Sequence, residues 1–399
     1  MRTRNIWCEL SFIAVLSICG GCSLSSSPMG SGGATSTAGA AGTTGTAGSS
    51  GSTGTAGATS SAAYIKCLNP TPPATDPAAT TKAPCDIYQI DGGPCIAAHS
   101  TVRALYAAYT GPLYQVKKAD GTTKDITVLA PGGFANSADQ DTFCGVDACT
   151  ISIIYDQSGR GNNLTSAPAG GAKTSPDNEA NAKALPATFS GHKVYGVHVV
   201  PGIGYRNNAA CDTAIADDAE TEYMVVDGAI YNGGCCFDYG NMERNSRDNG
   251  EGTMEAVYYG KCTIWGKGAG TGPWVMGDLE NGLWAGNISP FNASTPVTSA
   301  YVTAMVKGDR AGSNHWAIKV GNAQLGALAT PFDGVRPNSK YNPMRKEGAI
   351  GMGTGGDNSN GAIGNFFEGV MTAAFSTSTA DDAVQANIVA AYGAAAPAQ

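Results

Sequence analysis

The chain has 399 residues, 24 Lys and Arg against 32 Asp and Glu, and a formal net charge of −8. With no basic cluster anywhere, it is not a nucleic-acid binder. Its four histidines, His99, His192, His198 and His315, show no ligand spacing, so neither a zinc site nor a Ser-His or Cys-His catalytic pair is expected.

The N-terminus, MRTRNIWCELSFIAVLSICGGCSLSSS, places Arg2 and Arg4 before an apolar run through Ile18, with Gly20 and Gly21 following. That pattern is an export signal over residues 1–22, and its apolar run is too short for a comfortable membrane span. Cys22 stands where a bacterial lipoprotein signal carries its lipid-acceptor cysteine, although Cys19 occupies a position where Leu is usual. Membrane attachment through a lipidated Cys22 is one expectation, and cleavage with release is the other. Residues 23–62 contain no charge and almost no bulky apolar side chain, and a Pro-rich stretch follows through Pro84. Such a segment cannot bury enough surface to offset its ordering entropy, so residues 23–80 read as a flexible linker. It would either reach toward a large substrate from an anchor or serve as an ordinary secreted-protein linker.

Residues 81–395 read as one folded domain, with no low-complexity break inside them. Asp91-Gly92, Asp120-Gly121, Asp227-Gly228, Asn232-Gly233, Asn281-Gly282 and Asn360-Gly361 are hairpin and loop signals. Between them lie short β-type runs at residues 150–155, 193–200, 223–226, 254–259, 274–279, 300–306, 315–320 and 366–375. Many short strands separated by turns predict an all-β, antiparallel sandwich or jelly roll with few helices. Helices are expected at residues 100–109 and 380–391, the second capped by Ser378 or Thr379, with Val384 and Ile388 on one face.

Export implies oxidised thiols. Cys85 with Cys95, and Cys144 with Cys149, are short-loop pairs that a local disulfide can close. Cys235 and Cys236 are adjacent. Trans neighbours have Cα atoms about 3.8 Å apart, below the usual ~4.4–6.8 Å disulfide range, so a bond between them is strained. Either they bond each other, with Cys211–Cys262 as a further bridge and Cys67 left over, or they reach Cys211 and Cys262 separately.

With histidine scarce, carboxylates are the candidates for chemistry. In GPWVMGDLENGLWAG the run from Trp274 to Leu279 reads as a strand, so Asp278 and Glu280 project from one face, flanked by Trp274 and Trp284. Like charges that close raise at least one proton affinity, which suits acid or base work; two solvated acids on a strand edge are the plainer alternative. In GTGGDNSNGAIG, glycines around Asp357 let backbone approach a ligand; a surface turn, or a weak calcium loop of Asp357, Asn358 and Asn360, is the alternative.

The stretches PCDIY, AAHSTVRALY, IIYDQSGRGNNLT, PGIGYRNN, CCFDYGN, MEAVYYG, GAGTGPWVMGDLENGLWAG, YNPMRKEGAI and GGDNSNGA run from Pro84 to Tyr392. Together they resemble the catalytic domain of the family 54 α-L-arabinofuranosidases, the arabinofuranosidase B type of filamentous fungi. The resemblance implies a concanavalin-like or jelly-roll β-sandwich that releases terminal arabinofuranose from arabinan or arabinoxylan side chains with retention of configuration. It places the nucleophile on Glu280, the general acid/base on Asp357, and sugar contacts on Asp278, Asn281, Met254, Trp265, Gly356 and the Cys235–Cys236 pair. It further implies a vicinal disulfide whose apolar plate meets the furanose ring. No metal or organic cofactor is required, and a monomer is expected.

Retention by double displacement requires carboxyls roughly 5–5.5 Å apart, Glu280 ionised and Asp357 protonated at the start. The fungal members carry a C-terminal β-trefoil that this chain, ending at Gln399, does not match, so the tether is expected to replace polymer targeting. Asp156, in YDQSGRGNNL, is expected to organise a turn. Two other readings compete. One is a non-catalytic glycan-binding surface lipoprotein, which would gain little from keeping Glu280, Asp278 and Asp357. The other is a sibling β-xylosidase or arabinan-cleaving glycosidase.

Overall fold

The computed structural model describes residues 62–393; the export signal, Cys22 and most of the expected linker lie outside the described residues. Two seven-stranded sheets stack face to face, and every strand pairing is antiparallel. The first runs in the order Cys95–Ser100, Gly364–Thr372, Glu220–Asp227, Tyr301–Gly308, His315–Asn322, Leu325–Val335, with Val197–Val199 also paired to Gly364–Thr372. The second runs Leu283–Trp284, Trp274–Asp278, Glu255–Gly260, Asp238–Met242, Ala349–Met352, Tyr205–Asn207, Thr165–Ser166. The expected all-β sandwich is what the chain builds.

The period-2 alternation of the second sheet explains how one side feeds the core and the other carries the site. Val257, Tyr259 and Val275 point inward and join Tyr223, Met305 and Trp316 in the main apolar core. Their neighbours Tyr258, Trp274 and Met276 point the opposite way into a smaller cluster under loops. Gly277 is required on the inner face: a Cβ there would meet Trp316 Cζ3 at 2.7 Å.

Two local expectations change. Residues 100–109 form no helix. After the strand Cys95–Ser100, the Ser100 hydroxyl accepts the N–H groups of Val102 and Arg103 at 3.1 Å each, turning the chain. Arg103 is then held by two hydrogen bonds to Glu368, at 2.6 and 2.7 Å, in a buried ion pair. The C-terminal helix is Ser378–Tyr392, with Val384 and Ile388 buried, and its cap is Thr377, whose hydroxyl accepts the Ala380 N–H at 3.1 Å. The short helices Pro84–Ile90 and Ser137–Cys144 were not legible from periodicity.

Disulfides join Cys85 to Cys95, Cys144 to Cys149, Cys235 to Cys236 and Cys67 to Cys211. The expected Cys211–Cys262 bridge is therefore corrected. Cys262 follows Glu255–Gly260, whereas Cys211 follows Tyr205–Asn207, and two strands of the sheet lie between those strands. At about 4.8 Å per strand that separation exceeds the roughly 7 Å Cα reach of a disulfide. Cys211 instead takes Cys67, whose N–H donates to Asp212 Oδ1 at 3.2 Å. Cys262 is buried, has no disulfide partner among the described residues, and packs with Cys236, Tyr258 and Trp274. This staple also anchors the chain upstream of residue 81, where a linker was expected.

Asp156 organises its turn as expected: its carboxylate accepts the N–H groups of Ala98, Ser158 and Asn162 and the Ser158 hydroxyl.

Candidate active site

On the outer face of the second sheet, loops at the strand ends enclose a cavity of about 140 Å³. It is lined by Cys235, Cys236, Asp248, Trp265, Asp278, Glu280, Asn281, Gly282, Gly356, Asp357 and Ser359. That volume is well below the roughly 300–1,000 Å³ of pockets for drug-sized ligands, so one small molecule fits.

Asp278 is the last residue of its strand and shares the outward face with Trp274 and Met276. Glu280 was expected on the continuing strand, but the strand stops at Asp278. Glu280 and Asn281 are the two central residues of a hairpin turn, closed by Leu279 N–H to Gly282 O at 3.1 Å. Their φ angles are +62° and +54°, the left-handed pair that a two-residue hairpin of this twist demands. A glutamate in that region is strained and persists because its surroundings over-determine it. Asp278 Oδ1 accepts the Glu280 N–H at 3.2 Å, Tyr341 OH donates to Asn281 O at 3.2 Å, and Asn281 Nδ2 donates to Asp248 at 3.0 Å.

Opposite this turn, residues 354–361 carry Asp357, whose Oδ1 accepts the Ser359 N–H at 2.9 Å. Arg206, buried on strand Tyr205–Asn207, donates to Gly355 O and Gly356 O at 2.8 and 2.9 Å and to Glu243 O at 2.6 Å. One guanidinium thus fixes two loops by their backbones. Cys236 N–H donates to Ser359 O, and Gly361 N–H to Cys235 O, so the cystine segment is laced to the Asp357 loop. The Cys235–Cys236 peptide is cis, with Cα atoms 3.0 Å apart. Asn358 and Asn360 turn away toward Pro168 and Asp177, so no calcium loop is assembled around Asp357.

Carboxyls crowd this floor. Burial, helped by Glu243 and Asp278, pushes Glu280 up to about 11. Burial raises Asp278 and Glu243 to about 7 each, and Asp238, fully buried against Asp278, is raised well above the carboxylate range. Arg206 is the buried cation facing them, and burial lowers it to about 10. Burial alone therefore favours a protonated Glu280, whereas the expected chemistry asks for an ionised one.

These raised affinities have a consequence for stability. The folded state holds protons that the unfolded chain, with ordinary values of 3.8 and 4.5, has released. Their contribution is fully present below about pH 4 and is lost as pH rises through about 7. Scanning calorimetry is expected to give a higher Tm at pH 5 than at pH 8. With roughly 2–4 °C lost per kcal/mol in a domain of this order, the drop should be several degrees. A Tm that rises toward pH 8 would contradict it.

Of the residues expected at the site, Cys235, Cys236, Trp265, Asp278, Glu280, Asn281, Gly356 and Asp357 are brought together. Trp265, half exposed, stands at the rim. Met254 is the exception. It is fully buried with Met242, Ala256 and Ala349 and has no surface left for a ligand. Sequence reasoning missed Asp238, Glu243, Asp248, Ser359 and Arg206. CCFDYGNMERN held the signal for the first two, since a fully buried strand begins with one acid and is followed at once by another.

The site is thus a cleft for one small polar molecule, floored by facing carboxyls on a β-sandwich. The cystine sulfurs lie within 4.8 Å of an Asp278 oxygen, but they are bonded to each other and offer no thiolate to a metal.

Residues 84–393 match the family model "Alpha-L-arabinofuranosidase B, catalytic", and the chain belongs to that family. It is 58% identical over 316 residues to a probable α-L-arabinofuranosidase B of Aspergillus clavatus, covering 77% of this chain and 62% of the relative. It is 57% identical to an α-L-arabinofuranosidase of Hypocrea jecorina, covering 79% and 63%. An arabinofuranosidase/β-xylosidase of Trichoderma koningii is 56% identical, with the same two shares. Among solved structures, an arabinofuranosidase complexed with arabinofuranosyl-α-1,2-xylobiose superposes with a TM-score of 0.75 at 51% identity, covering 78% of this chain and 65% of that one. The chain thus spans less than two thirds of the length of these relatives.

Proposed function

We propose that this domain is a retaining, exo-acting α-L-arabinofuranosidase that releases terminal arabinofuranose from arabinan or arabinoxylan side chains. Glu280 attacks the anomeric carbon while Asp357 protonates the departing oxygen; Asp357 then takes a proton from the water that releases the sugar. Asp278, Asn281, Gly356, Trp265 and the Cys235–Cys236 plate hold the furanose. One observation carries the reading. Glu280 and Asp357, far apart in the chain, line the same single-sugar cavity, and that cavity is closed by a cystine and a tryptophan. The family and its arabinofuranosidase relatives support the choice of sugar.

The chain acts outside the cytoplasm, which four disulfides in residues 62–393 favour, and as a monomer. It is tethered through a lipidated Cys22 and the segment that precedes the Cys67–Cys211 bridge. A mature chain that begins elsewhere would remove the anchor. The functional test is release of nitrophenol from the α-L-arabinofuranoside beside the β-D-xyloside. Turnover of the arabinoside in preference is expected. Preference for the xyloside would favour the sibling activity that the Trichoderma koningii relative's name includes, and turnover of neither would favour a glycan binder.

A further inference from the structure

Glu243 follows the strand Asp238–Met242 and is fully buried, yet the chemistry proposed above does not use it. Its Oε1 accepts the Thr253 hydroxyl at 2.5 Å, and its backbone carbonyl is held by Arg206. Its Oε2 receives no hydrogen bond from any hydroxyl, amide or cation of the described residues. What it faces is Glu280. A single point, where a Cβ on Gly356 would stand, lies 2.0 Å from Glu243 Oε2 and 2.6 Å from Glu280 Oε2. Glycine at 356 is what leaves the two carboxyls open to each other.

Two buried carboxyl oxygens facing each other without another donor are tolerated only if a proton lies between them. The proton can sit on either partner. Glu243 is anchored at Oε1 and enclosed, whereas Glu280 lines the cavity. We propose that Glu243 is the positioning residue for Glu280: it keeps the shared proton and donates it from Oε2 as a hydrogen bond to an ionised Glu280.

This inference rests on the glycosidase reading and deepens it. The arrangement accounts for how Glu280 can be ionised on a floor of acids, since the high proton affinity belongs to the pair rather than to Glu280 alone. Other charged groups also face the pair. They are Arg206 from Tyr205–Asn207, Asp278 from Trp274–Asp278, Asp357 from the loop after Ala349–Met352, and Asp248 beyond Glu243. The proton on Glu243 is not consumed. When Glu280 forms its bond to the anomeric carbon, the glycosidic bond breaks and the leaving oxygen takes its proton from Asp357. When water releases the sugar, Glu280 recovers its charge against the same donor.

The test separates Glu243 from Asp357 by removing the latter. In Asp357→Asn, kcat/KM for a dinitrophenyl α-L-arabinofuranoside, whose leaving group departs without an acid, is expected to keep an alkaline limb. That limb reports loss of the Glu243 proton. In Asp357→Asn/Glu243→Gln the amide donates at every pH, so the limb should disappear. In the otherwise native protein, Glu243→Gln should stay within about threefold of wild type, because the amide replaces the donor. Glu243→Leu should lose roughly 10- to 100-fold in kcat/KM, the range for a hydrogen bond to a charged group.

An alkaline limb unmoved by Glu243→Gln belongs to Asp278 or another acid and overturns the proposal, as does equal impairment by Gln and Leu. Should the Leu variant not fold, the Gln profile decides. An inactive wild type removes the catalytic reading and this inference together, whereas an active wild type with an unmoved limb removes this inference alone.

Discussion

Glu280→Gln is expected to lower kcat/KM for an aryl α-L-arabinofuranoside by about 10⁴-fold or more, the order seen when a covalent nucleophile is removed. The amide has the shape of the acid and can occupy the same strained turn, so the loss reads the chemistry rather than the fold. The backbone there is set by the Gly282 carbonyl, Asp278 and Tyr341, none of which depends on the Glu280 charge. Removing one acid from a buried cluster should also raise Tm, most of all near pH 8, where Glu243 and Asp278 are losing their protons. An inactive and stabilised variant is the mark of a site that trades stability for function. Activity above about a tenth of wild type would remove Glu280 from its role, since a nucleophile's loss is a matter of orders of magnitude.

Asp357→Asn is expected to act unevenly across substrates. For an arabinofuranosyl oligosaccharide, whose leaving group is an alkoxide, kcat/KM should fall by about 10²–10⁴-fold, the usual share of a general acid. For a dinitrophenyl glycoside the fall should be slight, because that leaving group needs no proton. Deglycosylation should then become slow, since no base activates water, and added azide should restore turnover while yielding an arabinofuranosyl azide of retained configuration. Equal losses on both substrates, or no azide product, would assign the acid/base role elsewhere. Asp248, on the same cavity wall, would be the next carboxyl to test.

Both experiments depend on a floor whose polar parts are held from outside the cavity. Arg206 fixes the Gly355–Gly356 backbone and the Glu243 carbonyl, while Tyr341 supports the Glu280 turn from behind. Backbone donors and acceptors set this geometry, so the reacting carboxyls need not be paired off to be positioned.

Much of this was legible in the sequence because it depends on local spacing. Short β-type runs and turn dipeptides predicted the sandwich. The loops closed by Cys85–Cys95 and Cys144–Cys149 are short enough to read by eye, and Asp278, Glu280 and Asp357 lie in runs whose composition marks them. Residues 100–109 show the limit: helical spacing was present, but a serine side chain and a distant glutamate overrode it.

What only the tertiary structure decided are relations between segments that spacing cannot encode. Strand order separates Cys211 from Cys262 and delivers Cys67 instead; a hairpin turn, not a strand, presents Glu280; Met254 is enclosed by Met242, Ala256 and Ala349; Glu243 meets Glu280 across Gly356. The physical reason is common to all of them. Side-chain period assigns a residue to a face, but which faces meet, and which buried acid must therefore keep a proton, follows from how the sheets and loops close over one another.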